Sequence, residues 1–189
     1  MTTRSRARHA RRARPDPSTE PFTREDHAQL PEGFRAILLD GQFVREPAPT
    51  FGHQAVVGAL YVAAVAVARD RALVAPADIV VDDLNVLQPD VLVFGEEVES
   101  AATADPESVP VFVAEVLSPR TARRDRNEKT SAYLRAGVAE VWLVDPDALT
   151  VDVVTRDGVR RHEPDEVVRS VTVPGLEVTP RELVRRPAR

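Results

Sequence analysis

The chain has 189 residues and a net charge of −5, and its 43% hydrophobic and 29% charged content is that of a globular protein with room for one core and hardly for two. It contains no cysteine, which excludes disulfides and thiolate metal sites and suits a reducing, cytoplasmic setting. Arg4, Arg6, Arg8, Arg11, Arg12 and Arg14 against Asp16 give the first 18 residues +5, leaving −10 for the rest, and such an acidic body is poorly suited to gripping long nucleic acid by its surface. Residues 4–21 have no aliphatic side chain larger than alanine, so residues 1–20 are expected to form a disordered basic tail. No apolar stretch follows this basic start as in a secretory signal. A domain over 21–185 and a short tail at 186–189 complete the expected organisation.

Order is expected from Phe22, where Thr23 with Asp26 three residues on reads as the capping box of a short helix. Residues 35–46 are two strand-like runs around Asp40-Gly41, a strong hairpin signal. The stretch 50–69 predicts a long helix, apolar on most sides and therefore buried; its uninterrupted apolar run, 55–68, is too short to span a bilayer, and no membrane partner is expected. Strands are predicted near 72–75 and 78–82, and a strand broken by proline over 84–95. Residues 96–109 read as a solvated loop, and 109–117, "VPVFVAEVL", as a central strand covered on both faces. A helix over 124–136 closed by Gly137, a second central strand at 139–146, a hairpin at 149–163 turning at Asp157-Gly158, a short strand at 169–173 and a last helical turn at 179–184 follow. This order predicts a mixed α/β sheet flanked by helices.

Three residues depart from these patterns. Glu115 lies within the apolar run 109–117, where it must be neutralised, bound to a metal or paired with one of the many arginines. Asp90 follows Pro89 inside a strand-like run; a bulge there would re-aim its side chain, and a plain turn between two strands would also explain the pair. Lys129 is the single lysine beside 24 arginines in a Lys plus Arg total of 25. It could serve only an i,i+4 pair with Asp125, yet arginine would do that as well, whereas lysine offers a compact charge useful at a phosphate. Together, Asp90, Glu115 and the main-chain carbonyl of Val116 form an all-oxygen donor set suited to Mg²⁺ or Mn²⁺, with Lys129 to orient a water or offset charge at the phosphate.

"QPDVLVF" at 88–94 and "VFVAEVLSPRTARRDRNEKTSAYLRAGVAEVWLVDPDALTVDVV" at 111–154 closely resemble the Uma-type restriction endonucleases of the PD-(D/E)XK nuclease superfamily, and the likeness runs from about Thr23 to Val184. The resemblance implies a restriction-endonuclease-like mixed β-sheet core with an N-terminal helix and hairpin, and a metal-dependent endonuclease acting on nucleic acid, DNA above all, as a homodimer. It makes Asp90 the aspartate of the "PD" element and Glu115 the acid of the (D/E)XK element. Leu117 stands where that element has lysine, so the lysine is supplied from the following helix as Lys129. His53 and Gln54 match a family motif at the start of the long helix, and Asp125 would support Lys129 or the metal shell. Ile37 and Gln42 stand where the family commonly has glutamate, which leaves open a nuclease fold without chemistry that serves as a DNA- or protein-binding module. For an active enzyme, Glu115→Ala is expected to abolish cleavage and to leave the fold intact or more stable through relief of carboxylate repulsion.

Overall fold

The computed structural model describes residues 20–31, 33–104 and 107–184, so the expected tails lie outside the described residues except for Glu20. Helix α1 (Arg24–Ala28) opens with Asp26 accepting the Thr23 backbone N–H at 2.8 Å, the return half of the expected capping box. Strands β1 (Ala36–Leu39) and β2 (Gln42–Arg45) form the hairpin, with Leu39 paired to Gln42 and positive φ at both Asp40 (48°) and Gly41 (70°). Those angles match the right-handed twist of the strands, which is why Asp-Gly occupies the turn. A Cβ at Gly41 would stand 2.5 Å from Pro21 Cβ, so the glycine also permits the close approach of the chain leading into α1.

Helix α2 (Phe51–Ala68), N-capped by Thr50, crosses one face of a six-stranded sheet of order β10-β9-β8-β7-β6-β3. This sheet comprises β3 (Ala72–Val74), β6 (Val91–Val93), β7 (Phe112–Val116), β8 (Glu140–Asp145), β9 (Thr150–Thr155) and β10 (Gly158–His162). Among the described residues of this sheet, β7 and β8 are the one parallel pair. A four-stranded sheet of order β2-β1-β5-β4 adds β4 (Ile79–Asp82) and β5 (Asn85–Leu87). The helical crossover from β7 to β8 consists of α3 (Ala122–Arg124), a π turn (Asp125–Lys129) and α4 (Thr130–Ala136), ending at Gly137 with φ 105°. The two-stranded ribbon β11 (Val168–Arg169) and β12 (Glu177–Val178) and helix α5 (Pro180–Leu183) close the described chain. The mixed sheet flanked by helices agrees with the sequence.

Strand β7 organises the layers because its side chains alternate. Phe112, Ala114 and Val116 join Val56, Leu60 and Ala64 of α2 in one core, where Phe112 packs edge-on against Trp142 with ring centroids 5.1 Å apart. Val113 and Leu117 face a second core that holds Tyr133 of α4 and Ile37, Ile79 and Leu87 of the small sheet. Glu115 belongs to that second side.

Three local expectations are corrected. The stretch 84–95 is two strands belonging to two sheets, and Gln88-Pro89-Asp90 is the passage between them. The second hairpin turns at Arg156-Asp157, since Thr155 and Gly158 already pair; Gly158, at φ 140°, begins the return strand. Helix α2 is buried on one face alone: Val56, Val57, Leu60, Ala64 and Ala68 are buried, whereas Val62 is 69% exposed and Phe51 97%. By length and hydropathy the helix could cross a membrane, but here its apolar side is a wall of the core.

Two polar anchors brace the sheet. Arg126, within the π turn, donates to Asp152 at 2.5 Å and to Asp145 at 3.0 Å, and Arg161 grips Asp152 with two bonds of 2.7 and 2.9 Å. The bonds from Arg161, with support from Arg126, hold the Asp152 carboxyl below its ordinary range. Glu140, fully buried in β8, accepts Trp142 Nε1–H at 2.7 Å on one oxygen. On the other it accepts the Ser170 hydroxyl (2.7 Å), the Val171 and Thr172 N–H groups (3.0 and 3.1 Å) and the Thr172 hydroxyl (2.8 Å).

Candidate active site

Pro89 determines what happens at the mouth of the large sheet. Strands β6 and β7 pair with Val91 opposite Ala114, so the register, continued two residues along, sets Pro89 opposite Val116. Proline has no N–H, so it offers nothing to the Val116 carbonyl, and the ladder stops. The Asp90 side chain takes over: its Oδ2 accepts the Val116 N–H at 2.7 Å. Its other oxygen meets His53 Nε2 at 3.1 Å, and that bond to Asp90 raises the affinity of the imidazole for its proton. His53 is placed by the start of α2, where its backbone N–H donates to Thr50 Oγ1.

The crossover helix delivers the rest. In the π turn the helix is widened by one residue, and the Thr130 hydroxyl donates to the Asp125 carbonyl at 2.6 Å. Asp125 and Lys129, four apart, are both buried, and Lys129 Nζ lies 2.6 Å from Glu115 Oε1 and 3.6 Å from Asp125 Oδ1. One helical step on, Tyr133 donates its hydroxyl to the same Glu115 oxygen at 2.6 Å. A single carboxylate oxygen thus takes both an ammonium and a phenol.

Burial pushes the Glu115 carboxyl up to about 8, with Asp125 and Asp90 acting the same way and Lys129 pulling against them. Burial likewise works against the Lys129 charge, but Glu115, Asp125 and Glu46 outweigh it and hold the ammonium above the ordinary lysine range. Lys129 is therefore a cation that keeps its proton. Burial, followed by Glu115, raises the Tyr133 phenol well above its ordinary value. Folded Glu115 binds its proton more tightly than the unfolded chain does, so its stabilising contribution is complete below pH 4.5 and is lost as pH rises toward 8. In metal-free buffer, the melting temperature of the wild type is expected to fall relative to that of Glu115→Gln across this range. Parallel profiles would show that the carboxyl titrates as in water.

His53, Asp90, Glu115, Asp125 and Lys129 open on one cleft of about 940 Å³, whose lining does not include Tyr133. Every site residue expected from sequence lines it: His53, Gln54, Asp90, Glu115, Val116, Asp125 and Lys129. Ile37 does not; it is fully buried in the second core, so no ligand arises at that position. Gln42 is exposed at the start of β2 and Asp40 makes the turn, and both are outside the cleft lining. Two contributors escaped the sequence reading. Tyr133 sits four residues after Lys129, a spacing that places both on one helix face and could have revealed it. Glu46 lines the cleft and is gripped by Arg124 at 2.8 and 2.9 Å, a contact spanning 78 residues with no local signal.

The donors match a hard divalent cation in kind: two carboxylates, Asp90 and Glu115, and a carbonyl, Val116, that lacks an N–H from Pro89. Among the described residues no group of three or more His, Cys, Asp or Glu side chains is arranged to hold a metal, so the remaining positions around a cation would fall to water and substrate oxygens.

The family model described as Uma2, "putative restriction endonuclease", matches residues 24–185. The crystal structure of a "putative nuclease belonging to DUF820" from Anabaena variabilis is similar in fold, with a TM-score of 0.74 at 23% identity over 87% of this chain and 98% of that one. No curated protein matches the sequence. Since the family match spans every element that builds the cleft, from the first residue of α1 past the end of α5, the chain belongs to the Uma2 family of restriction-endonuclease-like proteins.

Proposed function

We propose that the protein is a metal-dependent endonuclease that hydrolyses phosphodiester bonds of nucleic acid, DNA first among them, in the cytoplasm and as a homodimer. The observation that carries this reading is the single lysine, buried on a π turn and set 2.6 Å from Glu115 in the cleft that also holds Asp90. Asp90, Glu115 and the Val116 carbonyl are the groups that would hold Mg²⁺ or Mn²⁺, which when bound supplies Lewis-acid polarisation of a phosphoryl oxygen and a more acidic water. Val116 N–H and His53 fix the Asp90 carboxylate from two sides, which presets its orientation. Lys129 keeps its proton and so is no general base; as an ammonium it orients a water or offsets negative charge developing on the phosphate. Glu115, Asp125 and Tyr133 hold that ammonium in place. Gln54, exposed at the cleft edge, is available to the incoming strand.

One observation favours the alternative of an inactive binding module: Ile37, buried in the core, supplies no further carboxylate. The two readings part in a single assay. Wild-type protein in Mn²⁺ is expected to nick supercoiled plasmid, and Glu115→Gln, purified identically, is expected to lose at least about 100-fold in rate. Mn²⁺ is also expected to raise the melting temperature of the wild type and not of Glu115→Gln, because only binding to the native state stabilises it. Loss of both responses in the wild type would leave the binding module as the reading.

A further inference from the structure

The cleft lining mixes two characters. It carries the carboxylates of Asp90, Glu115 and Asp125, with Glu46 and Asp78, and an apolar set made of Leu30, Pro31, Phe34, Pro47, Pro49 and Pro76. Phe34 is 52% exposed, and among the described residues it has no ring partner. Beside it Arg35 is exposed, and Arg120, in the loop after β7, is exposed too. Among the described residues neither guanidinium makes an ion pair or a side-chain hydrogen bond, whereas the other cations of this region, Lys129 and Arg124, are paired.

A surface that receives a duplex is expected to be broadly basic and polar, because a duplex shows the protein about one phosphate charge per 1.7 Å. Here an acidic body presents two unpaired guanidinium groups and an apolar wall. A single strand has a lower charge density and exposes base faces, which stack on aromatic rings irrespective of sequence. We infer that the cleft takes a single-stranded or locally unpaired stretch of nucleic acid, with a base on Phe34 and neighbouring phosphates on Arg35 and Arg120. This rests on the reading of the cleft as a phosphodiester site, and it adds the strandedness of the substrate.

The test is fluorescence anisotropy in Ca²⁺, an oxygen-seeking cation, with labelled oligothymidylate and its duplex with oligoadenylate, run beside cleavage of the same oligonucleotides and of plasmid in Mn²⁺. The single strand is expected to bind more tightly than the duplex. Phe34→Ala should weaken single-strand binding about 5- to 100-fold, and Phe34→Trp should restore it. Arg35→Ala and Arg120→Ala should each lower the slope of log affinity against log salt by about 0.7. Phe34 and both arginines are exposed, so these variants leave the core untouched. Equal or tighter duplex binding, or indifference to Phe34→Ala, overturns the inference. If plasmid is nicked nonetheless, the nuclease reading stands without it; if single strands bind and nothing is cleaved, the inference stands and the nuclease reading falls.

Discussion

Replacing Lys129 with methionine is expected to eliminate cleavage and to destabilise the protein by about 3 kcal/mol or more near pH 8, where Glu115 is asked to ionise. Methionine keeps the length and apolar stem but leaves Glu115 and Asp125, both buried, without their shared cation. The loss should shrink as pH is lowered and Glu115, whose carboxyl burial pushes up to about 8, takes up its proton. Glu115→Gln in the Lys129→Met background should recover much of the stability and none of the activity, a coupling that a double-mutant cycle by urea unfolding would measure. Additive effects would mean that the contact is a bystander. The same geometry revises what Glu115→Ala should do. That truncation leaves the Tyr133 hydroxyl without its acceptor and takes the nearer carboxylate from Lys129, so it should cost about 1–3 kcal/mol instead of stabilising. Glutamine, which resembles the protonated acid, is the variant that should leave the fold intact.

The largest loss of stability is expected from Glu140→Ala. Five donors converge on that buried carboxylate: the Trp142 indole, the Ser170 and Thr172 hydroxyls, and the Val171 and Thr172 backbone N–H groups. Truncation removes their shared acceptor, leaves the buried indole N–H unpaired and opens a cavity, for about 4 kcal/mol, or roughly 8–16 °C in melting temperature for a chain of this size. Glu140→Gln should cost less, since one amide oxygen remains to accept. Glu140 is outside the cleft lining, so the surviving folded fraction should cleave at the wild-type rate per molecule. A drop in kcat at a temperature where the variant is fully folded would show that this anchor also shapes the site.

Part of the candidate site was legible in the sequence because three positions broke a local rule. Glu115 interrupted an apolar run, Pro89 interrupted a strand, and Lys129 was a lysine among arginines. The hairpin at Asp40-Gly41 and the C-cap at Gly137 were legible because their backbone angles require those residues. What escaped depends on contacts between segments distant in sequence. Nothing near Glu46 announces Arg124, and nothing near Glu140 announces a loop 30 residues later. The exposed face of α2 escaped for another reason: its 18 residues carry no charge, so composition alone reads as burial on all sides. The π turn was illegible too, because a run such as "DRNEK" has ordinary helical propensity and its extra residue is imposed by where Arg126, Asp125 and Lys129 must each reach.

That extra residue behaves as an insertion kept in place by what it delivers. An α-helix advances about 100° per residue, so the wider turn sets where Lys129 and Tyr133 point relative to Arg124. Wound as a regular α-helix at its present length, the segment would turn the lysine and the tyrosine away from Glu115 together. The wide turn absorbs one residue, and Asn127, whose side chain only returns to the Arg123 carbonyl, shows how little that residue is asked to do. Length and winding are therefore coupled here: a relative one residue shorter should have a regular helix and keep its lysine on the same face.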